Sequence, residues 1–547
     1  MKNFIWLLLM LSFATEAKVY QLLETSLLRG EVVERTQTNQ SIKVKFLIPS
    51  FSSEEDKAYG ILKDEFSSVV VEGMENTKEV SKPSLPYHSF IVKGAPSDFK
   101  VNLKKGKAFT VKGLKPTPAR ELPCRCAKDK NLDPNIDILK YEEGRALYKI
   151  EYLGDFRGEK LSKVTISPAK YKDSKFEIYP ELEFSLTKVR GGGINFNTEE
   201  AGKEVSSNKN YLMVAASHLV KATNKLADYK RSQGFKVKVV DLKTVGKTSE
   251  KLKSFLHEEY RRNGYSFALL IGHEETMPTE YKSTSSDAET PSDTAYFTMG
   301  GSGDIIPDVF YGRIVADTEK DVLNQLKKIK EYDSKSYAQN RGRNHFVGIA
   351  SDEGSNPSDV EYMESYHAEF KDVFGTKASL YLQERSNSNS RNINKALNEG
   401  AHWLSYIGHG SGDSWSSVNR GDYNSAHIKD LNPGIVKPVI IDVACQNGRF
   451  SYEGRLGERF MNETKNGQPI GAVAYYGGSV DISWHPPAVM AKGINKAIAK
   501  DGFNTLGEAL LKGQLHLLET YDDREAAEEN LIWYHLFGDP SMKISFN

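Results

Sequence analysis

The chain has 547 residues, too many for one ordinary hydrophobic core, so two or more domains are expected. Acidic and basic residues balance at 73 each, which excludes the one-signed field that draws nucleic acid or an anionic membrane surface. Three cysteines are too few for a fold stapled by disulfides. The first element is a targeting segment over residues 1–17. Lys2 supplies a positive start, residues 4–13 are apolar, and the small residues Ser12, Ala14 and Ala17 follow, with cleavage expected after Ala14 or Ala17. No later apolar run reaches the length of a membrane span. No cysteine follows closely to carry a lipid, so the mature chain is expected to be exported and soluble.

Residues 18–190 read as a β-rich domain. Short alternating stretches such as Ser41-Ile42-Lys43-Val44-Lys45-Phe46-Leu47-Ile48 are broken by Pro and Gly, as in a β-sandwich. Cys124 and Cys126 lie here. They can form a very short local bridge, pair with a partner, bind a metal, or be two thiols without a role. Residues 191–209 open with Gly191-Gly192-Gly193 and are expected to be a mobile, exposed linker of the kind where proteolysis concentrates.

From residue 210 to 547 strands and helices alternate, which predicts a mostly parallel sheet covered on both faces. Strands are expected at 211–216, 236–242, 267–271, 309–311, 346–350 and 470–476. Helices are expected from about residue 217 to 233 and at 249–263, 318–332, 487–500, 505–520 and 525–537. Two strands end abruptly at one reactive side chain. One reads His402-Trp403-Leu404-Ser405-Tyr406-Ile407-Gly408-His409-Gly410, and the other Pro438-Val439-Ile440-Ile441-Asp442-Val443-Ala444-Cys445-Gln446-Asn447-Gly448. Chemistry in open α/β sheets gathers beyond the carboxyl ends of strands. A His at one end and a Cys at a neighbouring one suit a thiol nucleophile and its base. A sharp strand-to-helix turn is expected to aim a helix N-terminus at the Cys445 sulfur, and the N–H groups of Gly410 and Cys445 are expected to hold an oxyanion.

Tyr406-Ile407-Gly408-His409-Gly410-Ser411, Asp442-Val443-Ala444-Cys445-Gln446-Asn447-Gly448 and Phe537-Gly538-Asp539-Pro540-Ser541 together resemble the gingipain family of secreted bacterial cysteine peptidases. The resemblance implies a caspase-like fold from about residue 211 onward, and a propeptide in the β-rich region. It implies that His409 and Cys445 are catalytic and that Glu353 lies beside the His. It also implies that Asp359 floors a cation-binding S1 pocket and that Trp484 walls it. By their residue types alone Asp359 reads as a helix N-cap, Glu353 as a loop acid and Trp484 as a core aromatic. The spacing between Glu353 and Asp359 is short for the family, and His485-Pro486-Pro487 after the Trp departs from it. The C-terminal modules of some relatives are not expected.

The reading is therefore a secreted cysteine endopeptidase cutting after Arg or Lys, made as a zymogen and exported to the periplasm or beyond the cell. Its partners are protein or peptide substrates and its own propeptide as inhibitor. Arg190 is the first candidate for the activating cut and Lys203 the second. The chemistry requires no cofactor, no catalytic metal is expected, and calcium is expected at most as a structural ion. Two other readings share the same residues: a maturation peptidase or transpeptidase of a secretion pathway, and an inactive relative that serves as a surface binding module. The intact His–Cys pair argues against the second.

Overall fold

In the computed structural model the described residues are 17–23, 31–56, 66–120, 124–125, 136–301, 303–334, 344–354, 357–374, 377–419, 421–499, 503 and 505–544. The targeting segment through residue 16, and Cys126, lie outside them. No helix among the described residues is long and apolar enough to cross a membrane.

The N-terminal region is built from two four-stranded sheets and smaller ones. One sheet orders Val33–Gln37, Ser41–Leu47, Glu181–Lys188 and Phe99–Lys105; the other orders Tyr148–Phe156, Glu159–Ile166, Pro86–Lys93 and Glu75–Asn76. The alternation in Ser41–Leu47 turns Ile42, Val44 and Phe46 inward. They share a core with Phe90, Val164 and Ile166 of the second sheet, the usual solution for two half-apolar sheets. The second sheet's other side packs on the C-terminal half. Ile91, Leu153 and Leu161 join the large core of that half, and Arg145 pairs with Asp522 at 3.1 Å.

The C-terminal half holds one ten-stranded sheet. In chain order its strands are β1 (Asn210–Ala215), β2 (Lys236–Asp241), β3 (Phe267–Ile271), β4 (Phe310–Ile314) and β5 (Phe346–Ala350). They continue with β6 (Ala378–Leu382), β7 (Trp403–Ile407), β8 (Val439–Val443), β9 (Ala474–Gly478) and β10 (Tyr534–Phe537). Their order across the sheet is β2-β1-β3-β4-β10-β9-β8-β7-β5-β6. Every neighbouring pair is parallel except β9 with β10. The sheet is thus two parallel halves of opposite direction joined at one antiparallel seam.

Both faces are covered. Leu404 and Tyr406 of β7 pack with Ile393 and Leu397 of the helix Ser390–Asn398, while Trp403 and Ile407 face Tyr366 and Phe370 of the helix Asp359–Phe374 and Ile494 of the helix Pro486–Ala499. The fold is the mostly parallel, helix-covered sheet that the strand–helix alternation predicts, preceded by a β-rich domain.

Three expectations are corrected. The helix expected over 525–537 ends at Trp533, and Tyr534–Phe537 is the central strand β10. A run of four bulky buried residues suits either state, and the open slot between β4 and β9 selects the strand. The strand expected at 470–476 lies at Ala474–Gly478. The linker expected to be mobile and exposed contains the helix Thr198–Ser207, whose Ala201 and Val205 are buried in the large core. Ala201 and Val205 are four apart, so both fall on one helix face.

His535 sits inside β10, fully enclosed, with Nε2 against the Pro291 carbonyl at 3.1 Å. Burial holds its pKa down at about 4, against an ordinary 6.5. The unfolded chain therefore takes up a proton between pH 6.5 and 4 that the folded chain does not, and stability falls as pH drops through that window. The shift is worth on the order of 3 kcal/mol. His535→Gln keeps a donor for Pro291 but does not titrate. A plot of denaturation midpoint against pH should be flatter for the variant between pH 6.5 and 4, and an unchanged slope would exclude His535 as a source.

Candidate active site

Four adjacent strands, β5, β7, β8 and β9, end on one crest of the sheet. Ile407 of β7 pairs with Val443 of β8, so His409 and Cys445 each stand two residues beyond paired strand ends. Gly410 packs on the Cys445 backbone so closely that an added Cβ would lie 2.9 Å from the Cys445 nitrogen and 2.4 Å from its carbonyl oxygen. Only glycine fits there, and the two N–H groups are neighbours as a result.

The expected helix N-terminus at Cys445 is absent. The chain after Cys445 makes a tight turn, and the next helix is Leu456–Asn462. The turn is set by Gln446 in the left-handed region, φ +60°, and by Asn447 N–H donating to the Cys445 carbonyl at 2.7 Å. Non-glycine residues in that region cluster where geometry is functionally constrained. Asn447 ties the crest together. Its Nδ2 donates to Asp442 of β8 at 3.1 Å, and its Oδ1 accepts the Gly412 N–H beyond β7 at 3.0 Å.

The Cys445 sulfur is fully enclosed and accepts the Ile482 N–H at 3.3 Å. Burial, then the Asp481 carboxylate, pushes its pKa up, so in this state it is a thiol and not a thiolate. This is opposite to the lowering that a helix N-terminus would have given.

His409 is held from three sides. Its N–H donates to Ser417 Oγ at 2.9 Å, its carbonyl accepts from Tyr406 Oη at 2.6 Å, and Nε2 meets Glu353 Oε2 at 3.1 Å. Glu353 stands just beyond β5. The other ring nitrogen, Nδ1, is occupied by the main-chain carbonyl of Arg125 from the β-rich domain. Among the described residues no hydrogen bond joins His409 to Cys445.

Arg125 also fills the pocket beside them. Its guanidinium makes a bidentate pair with Asp359, Nη1 to Oδ2 at 2.7 Å and Nη2 to Oδ1 at 2.9 Å. Both side chains are 0 % exposed. The guanidinium lies 4.5 Å from the Trp484 ring centre and donates to the Trp484 carbonyl from Nη2 at 2.8 Å. A flat cation, a fork of acceptors and an aromatic face are the partners that a guanidinium prefers. Asp359 is the first residue of its helix but not its cap. Ser358 caps it, with Glu361 N–H donating to Ser358 Oγ at 3.2 Å and Glu361 Oε2 accepting the Ser358 N–H at 2.7 Å. This leaves the Asp359 carboxylate for the pocket, where Ser351 Oγ also donates to it at 2.6 Å.

The structure thus brings together His409, Cys445, Glu353, Gly410, Asp359 and Trp484. Arg190 lies elsewhere, exposed just after the strand Glu181–Lys188, and Lys203 is on the outer face of the helix Thr198–Ser207. Arg125 was not anticipated. The available signal was a lone basic residue framed by two cysteines in a segment with no strand pattern. Donor atoms of Cys124, Cys445 and Asp481 lie within 4.8 Å of one another, but Cys124 is disulfide-bonded and offers no thiolate to a metal.

A thiol and an imidazole at neighbouring strand ends, under a caspase-like sheet and beside a cation pocket, define a cysteine-type peptidase. Residues 204–545 match the model of peptidase family C25, and the chain belongs to that family. It is 23 % identical to gingipain R1 of Porphyromonas gingivalis over 518 residues, covering 86 % of this chain and 50 % of that protein. It is 22 % identical to Lys-gingipain of the same species over 580 residues, covering 93 % of this chain and 32 % of that one. The chain therefore spans half or less of the length of these relatives. The crystal structure of the Arg-specific cysteine proteinase gingipain R superposes with a TM-score of 0.57 at 24 % identity, over 61 % of this chain and 78 % of that one. A complex of the RgpB pro- and mature domains gives 0.56 at 24 %, over 61 % and 79 %.

Proposed function

We propose that this chain is an exported cysteine endopeptidase that cuts after Arg or Lys and is made as a latent zymogen. The observation that carries the proposal is Arg125. A basic side chain from the β-rich domain occupies the Asp359–Trp484 pocket while its own carbonyl meets His409. That is the pose of a P1 residue, the one whose carbonyl is attacked. The guanidinium bound there supports reading the pocket as one for basic side chains.

In the free enzyme the Cys445 sulfur attacks the scissile carbonyl. His409 carries the proton to the leaving amine, and Glu353 at Nε2 orients the ring and supports its charge. The oxyanion goes to the neighbouring N–H groups of Gly410 and Cys445, which make no hydrogen bond among the described residues. In the latent chain the Arg125 carbonyl is bonded to His409 instead, and the enclosed sulfur stays protonated. Both features support an uncut, docked inhibitor.

Activation requires release of the β-rich domain. Arg190 is exposed outside any helix or strand and is the better site. Cutting after Lys203 first requires unfolding a helix whose inner face is buried. Residues 1–17 support export, and the peptidase's substrates are proteins or peptides carrying basic residues. N-terminal sequencing of the active form should begin between residues 191 and 210. Full activity from a chain still attached to residues 18–190 overturns the zymogen reading.

Arg125→Ala tests the latch directly. It leaves the Asp359 carboxylate buried without its cation, a change that costs about 3–5 kcal/mol in comparable buried pairs. The variant should lose most of its latency, seen as a shortened lag before a fluorogenic Arg substrate is cut. An unchanged lag would assign latency to other contacts.

A further inference from the structure

Arg125 marks one subsite, and the residue before it marks a second. Cys124 bridges Ser483 in antiparallel register, and the Arg125 N–H donates to the Ile482 carbonyl at 2.9 Å. With Arg125 in the pose of P1, Cys124 stands at P2. Successive side chains of an extended segment point to opposite sides. Burial along residues 481–484 follows that rule: Ile482 and Trp484 are buried, whereas Asp481 and Ser483 are half-buried. Arg125 goes with the first pair, its guanidinium 4.5 Å from the Trp484 ring centre. Cys124 goes with the second. Ser483 is directly opposite it, and Asp481 is a diagonal neighbour. The Cys124 sulfur and a carboxylate oxygen of Asp481 lie within 4.8 Å of each other.

Asp481 is held in place from the turn that follows Cys445. The Gln446 N–H donates to the Val480 carbonyl at 2.9 Å, and Gln446 Nε2 donates to Asp481 Oδ1 at 2.8 Å. The left-handed conformation of Gln446 thus has a second use: it turns both donors of that residue toward residues 480–481. An amide fixes a carboxylate without neutralising it. We propose that Asp481 is the specificity group of the S2 subsite, and that the enzyme prefers Lys or Arg at P2, which makes paired basic residues its substrate class. The proposal rests on the reading of Arg125 as a P1 mimic. The other side chain facing P2, Ser483, is uncharged and accepts from Asn530 Nδ2 at 3.3 Å, so Asp481 supplies the charge of that face.

A cysteine at P2 ends at its γ atom. Lys and Arg carry their charge further out on a flexible stem, which can bring it to a carboxylate half open to solvent. Asp or Glu at P2 instead sets two like charges side by side. A half-exposed ion pair is weak, but exchanging attraction for repulsion doubles the difference, to on the order of tenfold in kcat/KM between Lys and Glu at P2. The two acids face opposite sides of the bound segment, so Asp359 selects P1 and Asp481 selects P2 independently. Val189 precedes Arg190, and Gly202 precedes Lys203. Neither candidate for the activating cut offers a basic P2, so self-processing should be slower than cleavage of a dibasic substrate.

The test uses the full-length chain after it has become active, and fluorogenic peptides with Arg at P1 that differ only at P2: Lys, Arg, Ala or Glu. kcat/KM should be highest for Lys and Arg, intermediate for Ala and lowest for Glu. Added salt should shrink the ratio of Lys to Glu, because the carboxylate is reached by solvent. Both readouts use the wild-type chain, so neither depends on a variant folding. Asp481→Asn should bring the four substrates to nearly equal values. Reading the ratio removes any general effect of the substitution on the rate, since all four substrates share P1 and the chemistry. Equal cleavage of all four by the wild-type enzyme, or a Lys-to-Glu ratio that survives in Asp481→Asn, overturns the proposal and leaves the functional reading standing. A chain that cuts after neither Arg nor Lys, whatever stands at P2, sinks the functional reading and the proposal with it.

Discussion

Cys445→Ala and His409→Ala should each lower kcat by several orders of magnitude while leaving the fold intact. In the proposed mechanism the Cys445 sulfur is the nucleophile, and among the described residues His409 is the imidazole at the crest whose Nδ1 meets the Arg125 carbonyl. Groups that act as a unit lose nearly everything when either is removed, so the double variant should be little worse than each single one. The fold should survive because neither side chain is the centre of a hydrogen-bond network on which other elements depend. Circular dichroism and a thermal midpoint near the parent's would establish that. Thiol-independent hydrolysis persisting in Cys445→Ala would remove the cysteine from the mechanism.

Asp359→Asn should produce the second-largest change, and it should do two things at once. It keeps the shape of the pocket and removes the charge that the guanidinium pairs with. For substrates with Arg at P1, kcat/KM should fall by at least about 30-fold, the equivalent of ~2 kcal/mol for a charged hydrogen bond lost in a buried site. The same substitution weakens the hold on Arg125, since one pocket serves both. The variant should therefore be less latent and less active together. A fluorogenic panel differing only at P1 measures the first effect, and the lag before activity measures the second. A parent enzyme preferring acidic or apolar P1 residues would dismiss Asp359 as the specificity group.

The crest was legible because it is local. Ile407 and Val443 close two continuous apolar runs, and the reactive residues follow each by two positions, so strand ends and chemistry sit in the same short words. The pocket was less legible. Asp359 and Trp484 are ordinary as residue types, and only the family resemblance separated Asp359 from a helix cap. The structure shows why the cap reading fails: Ser358 and Glu361 already cap that helix. Arg125 was marked only by the two cysteines that frame it, because its partners are 234 and 359 residues away and its neighbourhood does not encode them. The helix N-terminus expected at Cys445 failed for a related reason. A strand followed by small and polar residues announces a turn, and Gln446 and Asn447 complete that turn without starting a helix.

The position of β10 sets a clock on the enzyme. It is the last of the ten strands to be synthesised, yet it lies in the middle, paired with β4 on one side and β9 on the other. The half-sheet that carries the crest cannot be welded to its counterpart until Tyr534–Phe537 has emerged from whatever delivers the chain. Such long-range pairings come late in folding. The β-rich domain, by contrast, has its own core and every strand of it in hand hundreds of residues earlier. Vectorial delivery therefore presents the β-rich domain, its strands complete, to a sheet that is still assembling, so Arg125 is at hand when the crest closes.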